Sequence, residues 1–343
     1  MTFRMPPEWA PHERTWMAWP GPNPTFADAE ELAEAREAWA AVARAVRRFE
    51  PVTVVHGPGQ GESARALLGP DVDLVERDLD DAWMRDIGPT FVVDGDRLAA
   101  VDWVFNGWGG QDWARWEHDS QVARHVAALA GAPVLSSRLV NEGGAIHVDG
   151  EGTVLLTDTV QLGADRNPQW TREQVEAEIH AKLGTVKAIW LPHGLSGDYG
   201  LYGTQGHVDI VAAFARPGTV VVHSQQDPAH PDYERSRTYV EILSAETDAK
   251  GRALEVVEIP APTVLKDEDG DWVDYSYINH YLCNGGVVLC GFGDPNDETA
   301  AGIFRRLFPD RTVTLVDARA IFAGGGGIHC ITQQQPKVRQ SAV

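Results

Sequence analysis

Apolar residues recur at spacings of three and four in five stretches of the chain, and a short run rich in β-branched residues follows each stretch. In the second stretch, Val122, Val126 and Leu129 would lie on one face of a helix. This periodicity indicates amphipathic helices that each lead into a strand. The predicted helices span residues 28–50, 118–131, 171–184, 233–251 and 297–310.

The third of these stretches also carries helix-end signals. Thr171 and Gln174 have the spacing of a capping box, in which each side chain satisfies a free backbone N–H group of the other residue. Gly184 follows the last apolar position, where a left-handed residue commonly ends a helix. We therefore expect this helix to begin after Thr171 and to end at Gly184.

The strands that follow the helices begin near residues 52, 134, 186, 254 and 312, about 65 residues apart on average. A spacing of this size predicts one repeated supersecondary unit. Between the units lie pairs of β-rich runs joined by Gly- or Asp-containing turns, which is typical of hairpins. Four such pairs span residues 88–102, 144–158, 206–224 and 277–293.

The fifth hairpin would be assembled from the two ends of the chain, by pairing residues 327–336 with residues 13–20. Closing a ring in this way removes free sheet edges. The resulting prediction is an α/β fold with five repeated ββαβ-type units, helices outside and a central cavity. It would form a single domain over residues 1–343.

Polar residues stand at equivalent places near the start of these hairpins: Asp86, Glu142, His207, Asp209 and Cys330. In a ring they would converge on one pocket. Three carboxylates repel one another unless a cation neutralises them, and a planar guanidinium is the organic cation that carboxylates bind through paired hydrogen bonds. The pocket is therefore predicted to bind a small cationic guanidine.

The remaining two groups supply the chemistry. Cys330 is a candidate nucleophile, and His207 a candidate general acid and base. Attack on the guanidinium carbon would expel ammonia and leave an amidino-cysteine, from which water would release a urea derivative. The surrounding acids predict a mostly neutral Cys330 thiol in the free protein. Trp83 is expected in the core, where its face could border the bound cation.

Other functions fit parts of the same pattern. His147 and Asp149 repeat the H-x-D spacing of His207 and Asp209, so a two-metal hydrolase is an alternative, although the repeat predicts a structural role for His147. An amidinotransferase would use similar residues, and a non-catalytic binding protein could share the fold. The convergence of Cys330 with the acids favours the thiol-dependent enzyme, with no metal.

Charge and cysteine content further restrict the partners and the compartment expected for this protein. The net charge is −21, from 29 basic and 50 acidic residues, which argues against nucleic-acid and anionic-membrane partners. No run of 18 apolar residues indicates a membrane span, and the first residues lack the apolar segment of a signal peptide. The three cysteines, Cys283, Cys290 and Cys330, form no CxxC pair. A reduced cytoplasmic enzyme is expected, and a homo-oligomer is compatible with the sequence.

Several stretches also resemble the agmatine deiminases, which belong to the guanidine-modifying (pentein) superfamily. They are MPPEWAPHERTWMAWP, DAWMRDIGPTFVV, RLVNEGGAIHVDGEGTVLLT, RNPQWTREQVE, GHVDIVAAFARPG and GGGGIHCITQQQP, and the resemblance extends from about residue 5 to residue 336. It implies a pseudo-fivefold α/β propeller. It also implies hydrolysis of agmatine to N-carbamoylputrescine and ammonia without a cofactor, on a route to putrescine and polyamines.

The resemblance assigns roles by position. Cys330 would be the nucleophile and His207 the general acid and base. Asp86 and Asp209 would bind the guanidinium nitrogens, and Glu142 would orient His207 and help to hold the substrate. These roles agree with those that the residue types suggest.

The chain departs from the family pattern at three places. Gly327 and Ile210 each stand where the family usually has Asn, and the segment at residues 193–206 is longer and lacks the usual Asp-Glu-Thr-Asn run. We expect this segment to shape the pocket for the substrate's chain. Another small guanidine or an arginine derivative is therefore the alternative substrate.

Overall fold

The strands lie in five small sheets, each built around one antiparallel hairpin. This computed structural model describes residues 3–267 and 270–338, and all bounds refer to that part of the chain. Its strands are β1 (His12–Ala18), β2 (Val52–His56), β3 (Asp73–Glu76), β4 (Thr90–Asp94), β5 (Arg97–Val104), β6 (Val134–Val140), β7 (His147–Val148), β8 (Thr153–Thr157), β9 (Lys187–Leu191), β10 (Ala212–Arg216), β11 (Thr219–Ser224), β12 (Glu255–Pro260), β13 (Tyr281–Cys283), β14 (Gly286–Gly291), β15 (Thr312–Asp317) and β16 (Thr332–Pro336).

Four of the sheets share one topology, with orders β4-β5-β6, β7-β8-β9, β10-β11-β12 and β13-β14-β15. In each sheet the first two strands are antiparallel and the third is parallel to the second. A parallel pair needs a crossover connection, and a helix supplies it in every case. The predicted ββαβ repeat and all four internal hairpins are confirmed.

The fifth sheet joins the two ends of the chain, as the sequence predicts. β16 pairs antiparallel with β1, with Thr332 opposite Met17 and Gln333 opposite Trp16. β2 continues the sheet in parallel, and β3 adds a fourth strand that the sequence pattern did not predict. The ends of the chain are therefore held together by backbone hydrogen bonds.

The helices lie between these strands and hairpins along the chain. They are α1 (Ala29–Arg47), α2 (Gly61–Leu68), α3 (Met84–Ile87), α4 (Gly107–Gly110), α5 (Val122–Leu129), α6 (Asp158–Gln161), α7 (Arg172–Leu183), α8 (Asp232–Ala245), α9 (Asn296–Leu307) and α10 (Arg319–Ala323), and short 3₁₀ turns span Asp119–Gln121, Gly143–Ala145, Gly197–Tyr199 and Val208–Ile210. The five predicted helices correspond to α1, α5, α7, α8 and α9. The sequence analysis did not predict α2 or the shorter helices α3, α4, α6 and α10.

The buried face predicted for α5 is partly wrong. Val122 and Val126 of α5 are buried, but Leu129 at the end of this short helix is 47% exposed. The ends of α7 are confirmed: Gln174 N donates to Thr171 Oγ1, Thr171 N donates to Gln174 Oε1, and Gly184 has a φ of 68°.

Side chains between the helices and the sheets form the core. Tyr239 and Leu243 of α8 pack with Val220 and Val222 of β11, and all four are fully buried. Burial of one such side chain stabilises the fold by roughly 1.5–3 kcal/mol. This packing fixes each hairpin, and with it the turn that leads into the hairpin. Among the described residues, no helix combines the length and apolar character needed to cross a membrane.

Thr171→Ala should lower the free energy of unfolding by about 1 kcal/mol, because it removes the hydroxyl that caps α7. Denaturant unfolding would measure the change. Thr238→Ala within α8 is the matched control and should cost nothing, since its hydroxyl bonds only to a carbonyl of the preceding helical turn. Equal stability of Thr171→Ala and the wild type would contradict the capping role.

Candidate active site

Four of the five hairpins deliver their predicted residue from the turn that precedes the first strand. Asp86 lies in α3 before β4, Glu142 precedes the 3₁₀ turn before β7, and Cys330 lies two residues before β16. His207 and Asp209 flank the start of the 3₁₀ turn Val208–Ile210 before β10. All five are at least 95% buried.

A glycine marks the point where three of these side chains converge. A Cβ atom on Gly144 would lie 2.5 Å from His207 Nδ1, 2.9 Å from Asp209 Oδ2 and 3.0 Å from Asp86 Oδ1. The backbone N–H of Gly144 instead donates to Asp86 Oδ1 at 3.0 Å. Glycine is required here because any side chain would occupy the space that the three groups share.

The thiol lies against the same carboxylates. Cys330 Sγ is 3.5 Å from Asp209 Oδ2 and 3.2 Å from Asn279 Nδ2, which donates to the sulfur. Burial raises the pKa of the Cys330 thiol well above its ordinary value, and the negative charges of Asp209 and Asp86 raise it further. The thiol is therefore protonated at neutral pH, in agreement with the sequence-based expectation.

His207 is held between two carboxylates. Its Nε2 lies 3.3 Å from Glu142 Oε2, and its Nδ1 lies 3.9 Å from Asp86 Oδ1. Burial alone would lower the pKa of His207, but Asp86, Glu142 and Asp209 together raise it to about 9. At neutral pH the imidazole is therefore a cation and a potential proton donor.

Glu142 has a second partner that the sequence analysis missed. Arg166 Nε donates to both carboxylate oxygens of Glu142, at 3.0 and 3.2 Å, and its Nη2 donates to the Thr204 carbonyl. Burial would raise the pKa of Glu142, but Arg166 and His207 lower it overall. Glu142 is thus an ionised group that fixes His207, with its charge balanced by Arg166.

Asp209 is likewise balanced by a residue that was not predicted. His329 Nδ1 lies 2.7 Å from Asp209 Oδ2, and His329 Nε2 lies 2.7 Å from Glu8 Oε1. Burial and Arg85 lower the pKa of His329, but the two carboxylates raise it overall. Burial would raise the pKa of Asp209, and the positive charge of His329 lowers it below its ordinary value.

Two buried polar atoms in this site have no hydrogen-bond partner among the described residues: Asp209 Oδ1, an acceptor, and His207 Nδ1. Such orphaned groups are rare in folded proteins because each carries a desolvation cost. A guanidinium could satisfy Asp209 Oδ1 with an N–H group. His207 Nδ1 could then exchange a proton with the bound molecule.

The remaining hairpin, β13–β14, contributes Asn279, two residues before β13. Its Oδ1 accepts from the backbone N–H groups of His329 and Cys330, at 2.9 and 3.4 Å. A Cβ atom on Gly327 would lie 2.5 Å from this oxygen, so glycine at that position lets Asn279 reach the thiol. Asn279 occupies the hairpin-start position that identified the other residues, and the same repeat could have revealed it.

The long segment at residues 193–206 is organised by Asp198. Its carboxylate accepts from the backbone N–H groups of Thr204, Gly206 and His207 and from the Thr204 hydroxyl. Asp198 is buried, and these bonds set the backbone from which His207 projects. Ile210, the other departure from the family pattern, packs in the core beneath.

The residues of the metal alternative are engaged elsewhere. Asp149 accepts from the N–H groups of Glu151 and Thr153 and from the Thr153 hydroxyl, which closes the β7–β8 turn. His147 Nδ1 accepts from Phe214 N, and its Nε2 faces Glu8 at 3.6 Å. Within residues 3–267 and 270–338, no group of three or more His, Cys, Asp and Glu side chains could hold a metal ion.

Trp83 and Trp108 border the buried acids. Trp83 lines the cavity beside Asp86 and Cys330, and Trp108 Nε1 donates to Asp86 Oδ2 at 2.9 Å. Burial raises the pKa of Asp86, and the neighbouring acids Asp209 and Glu142 raise it further, although His207 opposes them. A cation bound beside Asp86 would relieve this repulsion.

Comparison with known proteins gives consistent results. The profile of the family described as "Porphyromonas-type peptidyl-arginine deiminase" matches residues 4–336. A Streptomyces coelicolor protein named "Putative agmatine deiminase" is 85% identical over 338 residues, which cover 98% of this chain and 100% of the relative. The agmatine deiminase of Stutzerimonas stutzeri is 44% identical over 357 residues, with 97% and 95% coverage. The solved structure of Enterococcus faecalis agmatine deiminase superposes with a TM-score of 0.92 at 36% identity, with 98% and 96% coverage.

Glu8→Gln should lower the free energy of unfolding by about 3 kcal/mol, because it removes the carboxylate that faces buried Arg85 and one of the two that flank His329. Burial would raise the pKa of Glu8, but His329, His147 and Arg85 hold it well below its ordinary value. The stabilisation that ionised Glu8 provides is therefore fully present above about pH 4.3, the ordinary pKa of a glutamate in an unfolded chain. It is lost as the pH falls below that value and through the lower pKa of Glu8 in the folded protein.

Chemical denaturation of both proteins across this acidic range would measure the effect. Stability of Glu8→Gln should fall less steeply with acid than that of the wild type. Glu298→Gln is the control, since this exposed residue of α9 pairs only with Arg305 at the surface. A Glu8→Gln protein as stable as Glu298→Gln would contradict the charge-balancing role of Glu8.

Proposed function

The chain belongs to the Porphyromonas-type peptidyl-arginine deiminase family, and on that premise we propose that it hydrolyses agmatine to N-carbamoylputrescine and ammonia through a covalent intermediate on Cys330. The observation that carries the proposal is the convergence of Asp86, Asp209 and His207 around Gly144, beside the buried thiol. Extensive identity to proteins named as agmatine deiminases supports the choice of substrate.

The guanidinium binds between Asp86 and Asp209. Asp209 Oδ1 accepts one N–H group, and Asp86 accepts others beside the Trp108 indole. These bonds orient the planar group so that its central carbon faces Cys330 Sγ. The positive charge also offsets the repulsion among the acids, which lowers the pKa of Asp86 on binding.

Binding of the cation activates the thiol. The charges that raise the pKa of Cys330 are those of Asp209 and Asp86, and the guanidinium neutralises both. Cys330 then releases its proton to solvent. The thiolate forms an S–C bond to the guanidinium carbon, which gives a neutral tetrahedral intermediate.

His207 acts first as an acid. Its imidazolium, with a pKa raised to about 9, donates the Nδ1 proton to an unsubstituted nitrogen of the intermediate. The C–N bond breaks, ammonia leaves and a positively charged amidino-cysteine remains. Glu142 holds the opposite nitrogen, Nε2, throughout this step.

The neutral His207 then acts as a base. It takes a proton from a water molecule that adds to the amidino carbon, and the resulting intermediate expels the Cys330 sulfur. The expelled sulfur takes the hydroxyl proton as the carbonyl forms, which gives N-carbamoylputrescine and restores the Cys330 thiol. His207 is already protonated, because it holds the proton taken from the water molecule. Water is the only co-reactant that this sequence requires.

We also propose that the five sheets form a pseudo-fivefold α/β propeller around this site. Each hairpin supplies a group from the same place in its repeat, namely Asp86, Glu142, Asp209, Asn279 and Cys330. Convergence of residues from equivalent positions is what a ring of repeats around one centre would produce.

The proposal predicts cysteine-dependent turnover of agmatine that persists with a chelator present. Ammonia and ureido product would be measured for agmatine, arginine, peptidyl-arginine and guanidino amines of other lengths. Cys330→Ala should abolish turnover, whereas Cys283→Ala should retain it, because Cys283 lies in β13 and does not line the cavity beside Asp86. Asp209→Asn should lower kcat/KM by about 10- to 100-fold, which corresponds to the free energy of one hydrogen bond to a charged group.

Asp73→Asn, a change at the exposed start of β3, is the control for Asp209→Asn and should leave kcat/KM unaltered. Turnover of another guanidine but not of agmatine would support the covalent mechanism and would contradict the assignment of agmatine as the substrate. Full activity of Cys330→Ala, or loss of wild-type activity on chelation, would contradict the mechanism.

A further inference from the structure

The cavity beside Cys330 is small and mostly enclosed. Its volume is about 10 Å³, which is the space needed by a single water molecule. A guanidinium group is larger, and the chain attached to it must also pass outward. Because Cys330 is only 3% exposed, a substrate cannot enter until some of the lining side chains move.

Trp113 and Tyr202 close the outer side of this cavity. Their rings meet edge to face with centroids 5.1 Å apart, and both residues are half-buried. Trp113 also stacks on Trp108, whose indole is bonded to Asp86. The two aromatic rings come from different parts of the chain, and Trp113 connects them to the Trp108 indole that bonds to Asp86.

Few polar bonds hold Trp113, Tyr202 and their neighbours in place. Gln111 Nε2 donates to the Gly203 carbonyl at 2.6 Å, and Tyr202 Oη donates to the Pro24 carbonyl at 2.8 Å. Trp113 Nε1 donates to Gln111 Oε1 within its own segment. Movement of Tyr202 and its segment away from Trp113 would break the first two of these bonds and would leave the sheets intact.

Backbone strain is concentrated in the same place. Among the described residues, the non-glycine residues with positive φ are Trp108 at 54°, Tyr202 at 64° and Gln205 at 68°. Side chains rarely adopt this conformation, and it persists at sites where surrounding contacts enforce it. Both segments that meet over Cys330 therefore contain a backbone conformation that side chains rarely adopt.

We propose that Trp113 and Tyr202 form an aromatic gate, which parts to admit the guanidine and then lines the chain of the bound substrate. The inference rests on the proposed function. Among the residues that the structure describes, those that line the cavity include aromatic rings and Asp86 but no cationic side chain. Such a lining suits a slim unbranched chain with a neutral or cationic end, because aromatic faces attract cations and no lysine or arginine would pair with a carboxylate.

The gate can be tested without turnover, by the rate at which iodoacetamide alkylates Cys330. The labelled peptide identifies the residue by mass spectrometry, since Cys283 and Cys290 are also buried. Trp113→Ala and Tyr202→Ala should each raise the alkylation rate about two- to tenfold, because each removes one aromatic contact, whose free energy corresponds to a change of that size. Tyr233→Ala on α8, a half-buried tyrosine outside the cavity lining, should leave the rate unchanged.

Turnover tests the second part of the proposal. Trp113→Ala should raise KM for agmatine more than it lowers kcat, and it should affect methylguanidine less, because that substrate has almost no chain to contact the gate. Trp113→Phe and Tyr202→Phe retain a ring and should give smaller changes. They also replace the alanine variants if circular dichroism shows that those do not fold.

Alkylation rates of the gate variants equal to those of the wild type and Tyr233→Ala would overturn the gate. Equal effects of Trp113→Ala on agmatine and methylguanidine would overturn its contact with the chain. Failure of the wild type to hydrolyse any guanidine would instead refute the proposed function. The alkylation result does not depend on turnover, so the two failures are distinguishable.

Discussion

The site depends on the balance of buried charge. Asp86, Glu142, Asp209 and Glu8 are carboxylates removed from water, and an unpaired charge in such surroundings would destabilise the fold by several kcal/mol. Arg166 balances Glu142, and His329 bridges Asp209 and Glu8. These cations let the acids remain close together in the free protein. The negative charge that remains around Asp86 still favours the binding of another cation.

This balance links the two ends of the chain to the chemistry. Glu8 precedes β1 and His329 precedes β16, and these strands pair in the sheet that joins the ends. Arg85 adds a further link, because its backbone N–H donates to the Cys330 carbonyl and its guanidinium faces Glu8. Pairing of the terminal strands thus positions the nucleophile and the charges that control it at the same time.

Much of this arrangement could be predicted from local sequence, because repeated units put equivalent residues in equivalent places. The hairpins, the five predicted helices and the convergence of the predicted acids followed from periodicity and turn residues. Arg166 and Glu8 could not be found in this way, since their partners lie 24 and 321 residues away in the chain. Leu129 was misassigned because α5 ends at that residue, where the buried face stops. The small, mostly enclosed cavity depends on side-chain contact between Trp113 and Tyr202, which no local pattern encodes.

The central claim is that a bound guanidinium converts a neutral thiol into a nucleophile, and thiolate absorbance tests it most directly. The ultraviolet absorbance of the wild type, minus that of Cys330→Ser, would be followed against pH with and without guanidinium ion. Burial and the adjacent acids raise the pKa of the free thiol, so little thiolate should be present at neutral pH, and guanidinium should lower that pKa. A Cys330 thiol that titrates below neutrality in the free protein, or one whose pKa guanidinium leaves unchanged, would contradict the account.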